Sequence, residues 1–367
     1  MSRVAVLHNT LDLQGGADAV CLQTCRALAQ AHDVTLFTIS RIDPERLAAR
    51  MDLPLDVTVR QPPGAAIAAG ALERLGPYLG PQLAARSVML RAFVRRRLVG
   101  FDAAVSTANE LSLPIPSLQY VHFPQFRLED TPAGKAGRLN ALWSRLAAPD
   151  RDTGVPPTLL ANSAWTADVV EALYDDRPQV CHPPVDPIAG QPWSERTAGV
   201  LVLGRIAPDK RPLAALDVIE RLRERGHDLE ARIVGSASPA YRGYVDRVKR
   251  RASGLDAVSV ETDVSRGRLE TLLGRYRYGL NMKPDEHFGM AVAEYVAAGM
   301  LPFVPRGGGQ VDVVDGEPDL LFEGVSSAAD RIETALQEGR EPALARDRFG
   351  SDRFDREIRA RVAKIIG

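Results

Sequence analysis

The chain has 367 residues, two to three times the usual ~100–200 residues of a domain, so two domains are expected. Hydrophobic residues make up 45% and charged residues 25%, ordinary globular values that exclude disordered, collagen-like and coiled-coil chains. The 46 Lys and Arg residues are balanced by 47 Asp and Glu, and this formal net charge of -1 argues against a bulk nucleic-acid binder.

The first residues of the chain lead directly into a predicted strand. Val4–His8 follows Met1 without the apolar core of a signal peptide. No stretch approaches the roughly 18 uninterrupted apolar residues of a membrane span. The three cysteines, Cys21, Cys25 and Cys181, are too few for a disulfide framework in a chain of this length. We therefore expect a cytoplasmic protein with reduced, buried thiols that at most lies peripherally on the cytoplasmic membrane face.

Strands and helices alternate through the first half, which predicts right-handed βαβ units on a parallel sheet. The pair Gly15 and Gly16 separates the first strand from a helix, and such a pair lets the backbone approach a phosphate or a sugar closely, although it is also a common turn geometry. It is not a G-x-G-x-x-G loop, and no ribose-binding acid ends the second strand, so a nicotinamide dehydrogenase is disfavoured. The elements predicted in this half are strands at 4–8, 33–39, 102–106, 117–122 and 158–162, and a helix at about 17–31.

A basic helix is predicted over Leu83 to Val99, after the apolar segment Pro62–Pro81, which glycines and prolines interrupt. Arg86, Arg91 and Arg95-Arg96-Arg97 alternate there with large apolar side chains. Such a helix can lie on an anionic membrane surface. It can equally cover a sheet and expose its arginines to water, and the sequence leaves both interpretations open.

His122 stands at the end of a predicted strand, where Pro124 directs the chain out of the sheet. An imidazole at this position could hydrogen-bond substrate hydroxyls or handle a proton. A lone histidine is more often structural, but the position and the neighbours of His122 favour a place in a site. The remaining histidines do not have the spacing of metal ligands.

Prolines cluster between Pro178 and Pro192, which indicates a linker, and the strand–helix alternation restarts after it. We expect a first domain of residues 1–185 and a second of residues 198–344, with a charged helix at about 345–367 packing back on the first. Each domain is expected to be a Rossmann-like, doubly wound α/β domain, and the two to face each other across a cleft. The elements predicted in the second half are strands at 199–203, 230–234, 258–261, 278–282 and 301–304, and helices at 213–225, 268–276 and about 289–298.

A basic loop, residues 204–212, follows the first strand of the second half and carries Arg205 and Lys210. Ligands of open α/β folds bind at this carboxyl edge of the sheet. Two cations aimed at a leaving diphosphate would stabilise its charge without a metal. A solvated basic loop is the alternative, but only five of the 46 basic residues are lysines, which favours a function for Lys210.

The segment Lys283–Gly299 joins a strand to an apolar helix and carries two carboxylates, Glu286 and Glu294. A helix start at Gly289 offers unpaired N–H groups and a positive dipole end, both suited to a diphosphate. Glu294 lies about 7 to 8 Å further along the axis, roughly the reach from a diphosphate to its ribose. One carboxylate on each side of a diphosphate fits a nucleotide-sugar. Two glutamates eight residues apart also occur by chance on ordinary surface helices.

Taken together, these segments resemble the retaining glycosyltransferases of family 4, which have the GT-B fold. Glu286–Glu294 matches the E-x7-E motif of that family, and Gly204–Lys210 matches its G-R-x-x-x-x-K loop. Val121–Pro124 and Glu286–Gly289 together are most similar to the eukaryotic mannosyltransferases that use GDP-mannose on dolichol-linked glycans. The resemblance implies metal-independent transfer of a hexose to a glycan or lipid-linked acceptor, and it favours mannose from GDP-mannose as the donor.

The resemblance also implies roles for individual residues. Arg205 and Lys210 would contact the donor diphosphate, and Glu286 would contact the donor sugar. His122 would lie near the reacting carbon, and Glu294 would bind the ribose. Further contacts to sugar and phosphate would come from the following residues: Phe288, Gly289, Met290 and Ala291 through their backbone, and Gly15 and Gly16 by closing over the diphosphate. The GDP- or UDP-linked donor is a substrate, and no cofactor is implied.

Some features depart from this pattern. Asp150-Arg151-Asp152 has the D-x-D form that binds a metal in other glycosyltransferases, but it lies in a proline-flanked loop, so we predict no metal site there. The family often has a glutamate after the glycine pair of the next loop, where this chain has Gln310 after Gly307–Gly309. Two alternatives stay open: another two-domain nucleotide-sugar enzyme such as an epimerase, and a catalytically silent nucleotide-sugar-binding subunit.

Overall fold

The computed structural model describes residues 1–51, 53, 55–79, 82–127, 142–143 and 155–367. These residues form two compact units, Met1–Pro184 with Ser351–Gly367 and Val185–Gly350. Among the helices of the described ranges, none combines the length and the apolar composition that crossing a bilayer requires.

Each unit is built on a parallel sheet whose short, apolar strands are buried on both faces, as parallel strands usually are. The strands, in chain order, are β1 (Arg3–His8), β2 (Asp33–Thr38), β3 (Thr58–Arg60), β4 (Ala103–Ser106), β5 (Ser117–Val121), β6 (Thr158–Ala161), β7 (Gln179–Val180), β8 (Thr197–Leu203), β9 (Glu230–Gly235), β10 (Val258–Thr262), β11 (Tyr276–Leu280), β12 (Leu301–Pro305) and β13 (Leu321–Phe322). Within the described residues, the first sheet has the order β3-β2-β1-β4-β5-β6-β7 and the second β10-β9-β8-β11-β12-β13. Two parallel α/β sheets confirm the predicted fold class.

Helices connect these strands, and Ser163 and Ser265 cap the starts of two of them. The Oγ atoms of Ser163 and Ser265 accept the N–H groups of Thr166 and Arg268 at 3.1 and 3.2 Å, which satisfies a donor that a helix start leaves unpaired. The helices, in chain order, are α1 (Gly16–Ala29), α2 (Pro44–Arg50), α3 (Ala65–Leu79), α4 (Leu83–Val94), α5 (Ala164–Tyr174), α6 (Pro212–Glu224), α7 (Arg242–Ser253), α8 (Arg266–Arg275), α9 (Met290–Ala297), α10 (Gln310–Val313), α11 (Val325–Glu338) and α12 (Ser351–Ile366).

The side chains of strand β1 alternate between two helical layers, because successive residues of a strand point to opposite faces of the sheet. Val4 and Val6 lie in one apolar cluster with residues of α1 and α12. Ala5 and Leu7 lie in another with residues of α3 and α4. Helices therefore cover both faces of the first sheet, and the C-terminal helix α12 belongs to the first unit.

Three segments differ from the sequence prediction. The interrupted segment Pro62–Pro81 contains helix α3, because the alanines of its first half favour a helix more strongly than Gly70 opposes it, while Gly76 and Pro77 lie in the last turn. The linker region contains the short strand β7, which pairs with β6. The basic helix ends at Val94 rather than Val99, and the exposed Arg95–Arg97 lie in the turn that follows it.

Candidate active site

Two loops meet at the carboxyl edge of the second sheet. β8 and β11 are neighbours there, so the loops that follow them leave the same edge side by side. Lys210 ends a short 3₁₀ turn on the first loop, and Glu286 lies on the second. The Lys210 Nζ lies 2.7 Å from Oε1 and 2.8 Å from Oε2 of Glu286. The structure thus brings together two of the residues predicted from the sequence.

The carboxylate of Glu286 faces two ammonium groups. Its side chain is 14% exposed, and the Nζ of Lys283 lies 3.6 Å from its Oε2. Burial by itself raises the pKa of the Glu286 carboxyl, but Lys210 and Lys283 outweigh burial and hold that pKa below its ordinary value. Burial, and then repulsion from Lys283, lower the pKa of His287 to about 4. His287 is therefore neutral near pH 7, and two lysines against one carboxylate leave a positive site.

Helix α9 begins next to Glu286. Its N-cap is Gly289, which has φ 103°, and a side chain there would be strained and would crowd Gln310. The first N–H groups of any helix have no intrahelical acceptor, and the positive end of the helix dipole lies with them. Met290 and Ala291 at this helix start are only partly buried, so an anion can approach. Phe288 is buried and packs edge-on against Phe349, with ring centroids 5.4 Å apart.

Tyr295 connects helix α9 to the ends of strands β8 and β11. Its hydroxyl accepts the N–H of Leu203, the last residue of β8, at 2.6 Å, and lies 3.4 Å from the carbonyl oxygen of Leu280, the last residue of β11. The ring packs against Gly279, where a β-carbon would collide with it. The helix start is therefore fixed relative to both loops. An aromatic residue in an apolar helix is the one local signal in the sequence for this contact.

A third loop, Gly307–Gly309, packs against the backbone of Glu286. The N–H of Gly309 donates to the Glu286 carbonyl oxygen at 2.7 Å. Gly308 has φ 70°, and a β-carbon there would lie 2.5 Å from the same carbonyl oxygen. Glycine is therefore required at this position by both conformation and space. The loop fixes the main chain that carries the carboxylate.

Gln310 joins the same loops through its side chain, which is completely buried. Its Oε1 accepts a hydrogen bond from Asn281 Nδ2 at 2.6 Å. Its Nε2 donates to the carbonyl oxygens of Lys283 at 2.8 Å and Gly307 at 3.1 Å. The residue at which the chain departs from the family pattern thus holds the loop of Glu286 to its neighbour.

Glu294, predicted to bind a ribose, lies on α9 and is paired with Arg266 at the start of α8. Arg266 also contacts Glu270 at 2.8 Å. Burial raises the pKa of the Glu294 carboxyl even though Arg266 is beside it. Arg266 has no local signal in the sequence, because its contact with Glu294 spans 28 residues and depends on how two helices pack.

Arg205 follows β8 on the same loop as Lys210, but its contacts differ. Its side chain is half exposed and pairs with Asp209 at 3.2 Å. The guanidinium also lies over the ring of Tyr241, 5.9 Å from the centroid. The structure therefore places Lys210, and not Arg205, against Glu286.

In the first unit, the predicted glycine loop leads into α1. Gly15 is the N-cap in an extended conformation, and Asp18 Oδ2 accepts its N–H at 3.2 Å. A β-carbon built on Gly15 would meet no atom of the described residues within 4 Å. Gly16 is the first residue of the helix. The backbone at this helix start is therefore open on one side.

Helix α4 packs behind that loop, and one of its arginines, Arg86, does not belong to the solvated or membrane-facing row expected from the sequence. Arg86 is buried, and its Nη1 donates to Thr10 Oγ1 at 2.9 Å and pairs with Asp12 at 3.3 Å. It also donates to the carbonyl oxygen of Ile39 at 3.1 Å. One arginine of the predicted basic face thus points into the fold, and only the turn Arg95–Arg97 is strongly exposed.

His122 follows β5, and its backbone is held from two directions. Asn109 Oδ1 accepts the N–H groups of His122 and Phe123 at 2.7 and 3.2 Å, and Glu110 Oε1 accepts those of Gln125 and Phe126 at 2.7 and 3.1 Å. The intervening proline has no N–H, so two consecutive side chains accept every N–H of residues 122–126. The amide of Asn162 donates to the His122 carbonyl oxygen at 3.0 Å. Asn109 and Glu110 were not predicted.

The remaining sequence expectations concern metals and thiols. In the described part of the chain, no three or more His, Cys, Asp or Glu side chains are grouped so that they could hold a metal ion. Asp150-Arg151-Asp152 lies outside the described residues. All three cysteines are buried and free.

Comparison with known proteins supports the resemblance. Residues 188–351 match the family model described as glycosyl transferases group 1. The GDP-Man:Man(3)GlcNAc(2)-PP-Dol alpha-1,2-mannosyltransferase of Candida glabrata is 25% identical over 166 residues, which cover 41% of this chain and 33% of that protein. The same enzyme of Dictyostelium discoideum is 24% identical over 186 residues, 45% of this chain and 37% of the relative. The chain thus spans about a third of the length of the curated relatives it matches.

Solved structures resemble the whole chain. Anabaena HepE in complex with UDP and glucose has a TM-score of 0.71 at 14% identity and covers 99% of this chain and 100% of its own. A glycosyltransferase from Rickettsia africae has a TM-score of 0.66 at 12% identity, with 100% and 98% covered. WaaG, a glycosyltransferase involved in lipopolysaccharide biosynthesis, has a TM-score of 0.60 at 16% identity, with 99% of each chain covered.

These likenesses show that the fold is the predicted one, the GT-B fold of glycosyltransferases. Within that fold, residues 188–351 match the group 1 glycosyltransferases, in agreement with the family 4 resemblance of the sequence.

Proposed function

We propose that this protein transfers a hexose from a nucleotide-sugar to an acceptor hydroxyl with retention of the anomeric configuration. The observation that carries the proposal is the contact of Lys210 with Glu286 at the start of α9. An ammonium group and a helix N-terminus suit a diphosphate. A carboxylate beside them suits the hydroxyl groups of the attached sugar.

The proposed mechanism follows from where charge develops. When the bond between sugar and phosphate breaks, the leaving diphosphate gains negative charge. Lys210, Arg205 and the backbone N–H groups of Phe288–Ala291 would stabilise that charge, so the chemistry would need no metal. The acceptor hydroxyl would attack from the face that the diphosphate leaves, which retains the configuration. Activity that persists in excess EDTA would support this assignment.

Donor binding would change the partner of Lys210. In the structure its Nζ contacts both carboxylate oxygens of Glu286. A diphosphate bound at the start of α9 would draw the ammonium group toward its own oxygens. Glu286 would then be free to accept hydrogen bonds from the sugar.

For the other predicted residues we propose the roles that the resemblance implies. Glu294 would accept hydrogen bonds from the ribose while Arg266 stays beside it. In the first unit, His122 would contact the donor sugar, and Gly15 and Gly16 would approach the diphosphate. Each role predicts a higher donor KM or a lower kcat when the residue is changed, with the fold retained.

For the donor we propose GDP-mannose, because the curated relatives that match the chain are GDP-mannose-dependent mannosyltransferases by name. UDP-glucose is the second candidate, since it occupies one of the similar solved structures. The acceptor would be a glycan or a lipid-linked glycan. A lipid-linked acceptor would place the protein in the cytoplasm with peripheral membrane contact through residues 83–99.

A thermal-shift panel of GDP-mannose, GDP, UDP-glucose and UDP tests the donor. A ligand present at about 100 times its Kd stabilises the folded protein by about 2.7 kcal/mol. We expect GDP-mannose and GDP to raise Tm and the uridine compounds to have little effect. A response to UDP-glucose alone would overturn the choice of donor, and no response to any compound would overturn the nucleotide-sugar site.

Turnover then separates the three possible functions. A transferase slowly hydrolyses its donor to free sugar and nucleoside diphosphate, an epimerase returns an altered nucleotide-sugar, and a silent subunit only binds. We expect hydrolysis, and a loss of about 10²–10³ in kcat for Lys210→Ala, as when other donors to a developing oxyanion are removed. Lys249→Ala, an exposed lysine of α7, is the matched control. Near-normal turnover of Lys210→Ala would refute the proposed role.

A further inference from the structure

Two lysines approach Glu286 in different ways. Lys210 comes from the neighbouring loop and contacts both carboxylate oxygens, at 2.7 and 2.8 Å. Lys283 comes from the same loop as Glu286, and its Nζ lies 3.6 Å from Oε2. One carboxylate therefore has a close partner on another segment and a second partner on its own.

The main chain of Lys283 is fixed, unlike that of a surface lysine. Its carbonyl oxygen accepts a hydrogen bond from the buried Gln310 at 2.8 Å, and its N–H lies 3.4 Å from Asn281 Oδ1. Its side chain is only 20% exposed. Two residues separate it from Glu286, on a loop that Gly309 also holds. The main chain of Lys283 is therefore held beside the carboxylate by contacts that do not involve Lys210.

If a bound diphosphate drew Lys210 away, Glu286 would lose one of the two cations beside it. The charged and titratable groups that act on this carboxyl are Lys210 from the loop after β8, and Lys283 and His287 from its own loop. His287 is neutral near pH 7, since burial and Lys283 lower its pKa to about 4. A buried carboxyl without a cation takes up a proton, and it then loses part of its capacity to accept hydrogen bonds from a sugar.

We infer that Lys283 is a positioning residue, the counter-ion that keeps Glu286 ionised and oriented while Lys210 binds the donor diphosphate. This inference rests on the proposed function, because binding of the donor diphosphate is the event that removes Lys210 from Glu286. The pairing of Lys283 with Glu286 is testable without any donor, so the two can fail separately.

The donor-free test replaces Lys210 by methionine to imitate its departure. Tm is measured at pH 4 and pH 7 for Lys210→Met and for Lys210→Met/Lys283→Met. Each is compared with its Glu286→Gln counterpart, so that the difference isolates this one carboxyl. Lys249→Met in place of Lys283→Met is the control for loss of a lysine in the second unit.

The stability contributed by the Glu286 carboxyl should change with pH in opposite directions in the two variants. With Lys283 present, the pKa of Glu286 stays low, so the carboxylate stabilises the fold at pH 7 and loses that effect as pH falls. Without either lysine, burial raises the pKa, so the ionised carboxylate destabilises the fold as pH rises. Glu286→Gln should therefore lower Tm at pH 7 in Lys210→Met and raise it in the double variant. The same response in both backgrounds would overturn the inference.

Kinetics give a second, independent readout. The pH dependence of kcat reports the donor complex and that of kcat/KM the free enzyme, in which Lys210 still pairs with Glu286. In Lys283→Met, the acid limb of the kcat profile should move to higher pH. The acid limb of the kcat/KM profile should move less. On the acid side, kcat falls about tenfold for each pH unit of that movement. Lys283→Arg should restore the limb, because it restores the charge.

Other outcomes contradict the inference. A KM that rises equally at every pH in Lys283→Met would mean that Lys283 contacts the donor directly. A pH-independent fall in kcat that Lys283→Arg does not rescue would mean a structural role only. If no nucleotide-sugar is bound or turned over, the proposed function fails, and the Tm comparison still decides whether Lys283 is the counter-ion of Glu286.

Discussion

The side-chain amide of Asn281 donates a hydrogen bond of 2.6 Å to Gln310 Oε1, and this contact links the end of β11 to the loop after β12. Family 4 often has a glutamate where this chain has Gln310. We predict that Gln310→Glu destabilises this protein, because a carboxylate oxygen would replace the Nε2 that now donates to two carbonyl oxygens. Two buried acceptors without a donor cost about 1–3 kcal/mol each. The Tm of the variant near pH 7 measures the effect.

Gln337→Glu is the matched control, since Gln337 is exposed on α11 in the same unit. Its Tm should stay near that of the wild type. The penalty in Gln310→Glu should shrink toward pH 4, where a protonated carboxyl can donate again, because an ordinary glutamate has a pKa of about 4.3. Equal stability of both variants at pH 7 would show that the carbonyl contacts of Gln310 are dispensable.

Asn109 combines an acceptor with an unusual backbone, and a set of three substitutions separates the two. It has φ 66°, and its Oδ1 accepts the N–H groups of His122 and Phe123. Asn109→Asp keeps an acceptor, Asn109→Gly keeps only the backbone freedom, and Asn109→Ala keeps neither. We predict that Tm falls in the order Asp, Gly, Ala, with about 1–3 kcal/mol lost for each buried N–H left unpaired.

The same variants test the position of His122 if donor hydrolysis is measured with them. A His122 backbone released from Asn109 should lower kcat in Asn109→Gly even at temperatures well below the Tm of the variant, where the chain is still folded. Wild-type Tm and kcat in Asn109→Gly would show that the acceptor does not hold this segment.

Glu110 predicts a pH dependence of stability in the opposite direction to that of most carboxylates. Burial raises its pKa, and the N–H groups of Gln125 and Phe126 with the hydroxyl of Tyr174 oppose that only in part. In the window between the ordinary and the raised pKa, the unfolded chain has released a proton that the folded chain keeps. The contribution of Glu110 is therefore fully present below the ordinary value and falls as pH rises through that window.

Glu110→Gln removes this titration and keeps an oxygen that can accept the same N–H groups. We expect the Tm of the variant, relative to the wild type, to rise between pH 4 and pH 7. Glu338→Gln, at an exposed position on α11, serves as the control and should show no such trend. A relative Tm that falls with pH would mean that the hydrogen bonds lower the pKa of Glu110 below its ordinary value.

The sequence predicted the sheets well because buried parallel strands are short apolar runs, and the rule that ligands bind at the carboxyl edge placed Lys210 and Glu286 on meeting loops. It did not predict the partners that fix these side chains. Gln310, Tyr295 and Arg266 reach the site from loops and helices whose relative positions depend on tertiary packing. Their only local signals are a polar residue after a glycine run and an aromatic residue in an apolar helix.

The arginines of residues 83–99 show the same limit of prediction from sequence. Spacing alone assigned Arg86 and Arg95–Arg97 to one basic face, because a sequence pattern cannot distinguish an arginine facing water from one that faces a buried aspartate. In the fold, Arg86 is 5% exposed and its partner Asp12 11%. The sequence could not indicate the buried ion pair of Arg86 with Asp12, because the two residues lie 74 positions apart.

That pairing yields the last prediction, which compares Arg86→Met with Arg96→Met. Removing one partner of a buried ion pair costs about 3–5 kcal/mol, which corresponds to roughly 10 °C in Tm for a unit of this size. Arg96 is exposed in the turn after α4, so its substitution should leave Tm nearly unchanged. Thermal unfolding and sedimentation with anionic vesicles should be measured on the same samples. If Arg86→Met kept its Tm but lost vesicle binding, Arg86 would face a membrane surface, and its burial against Asp12 would be wrong.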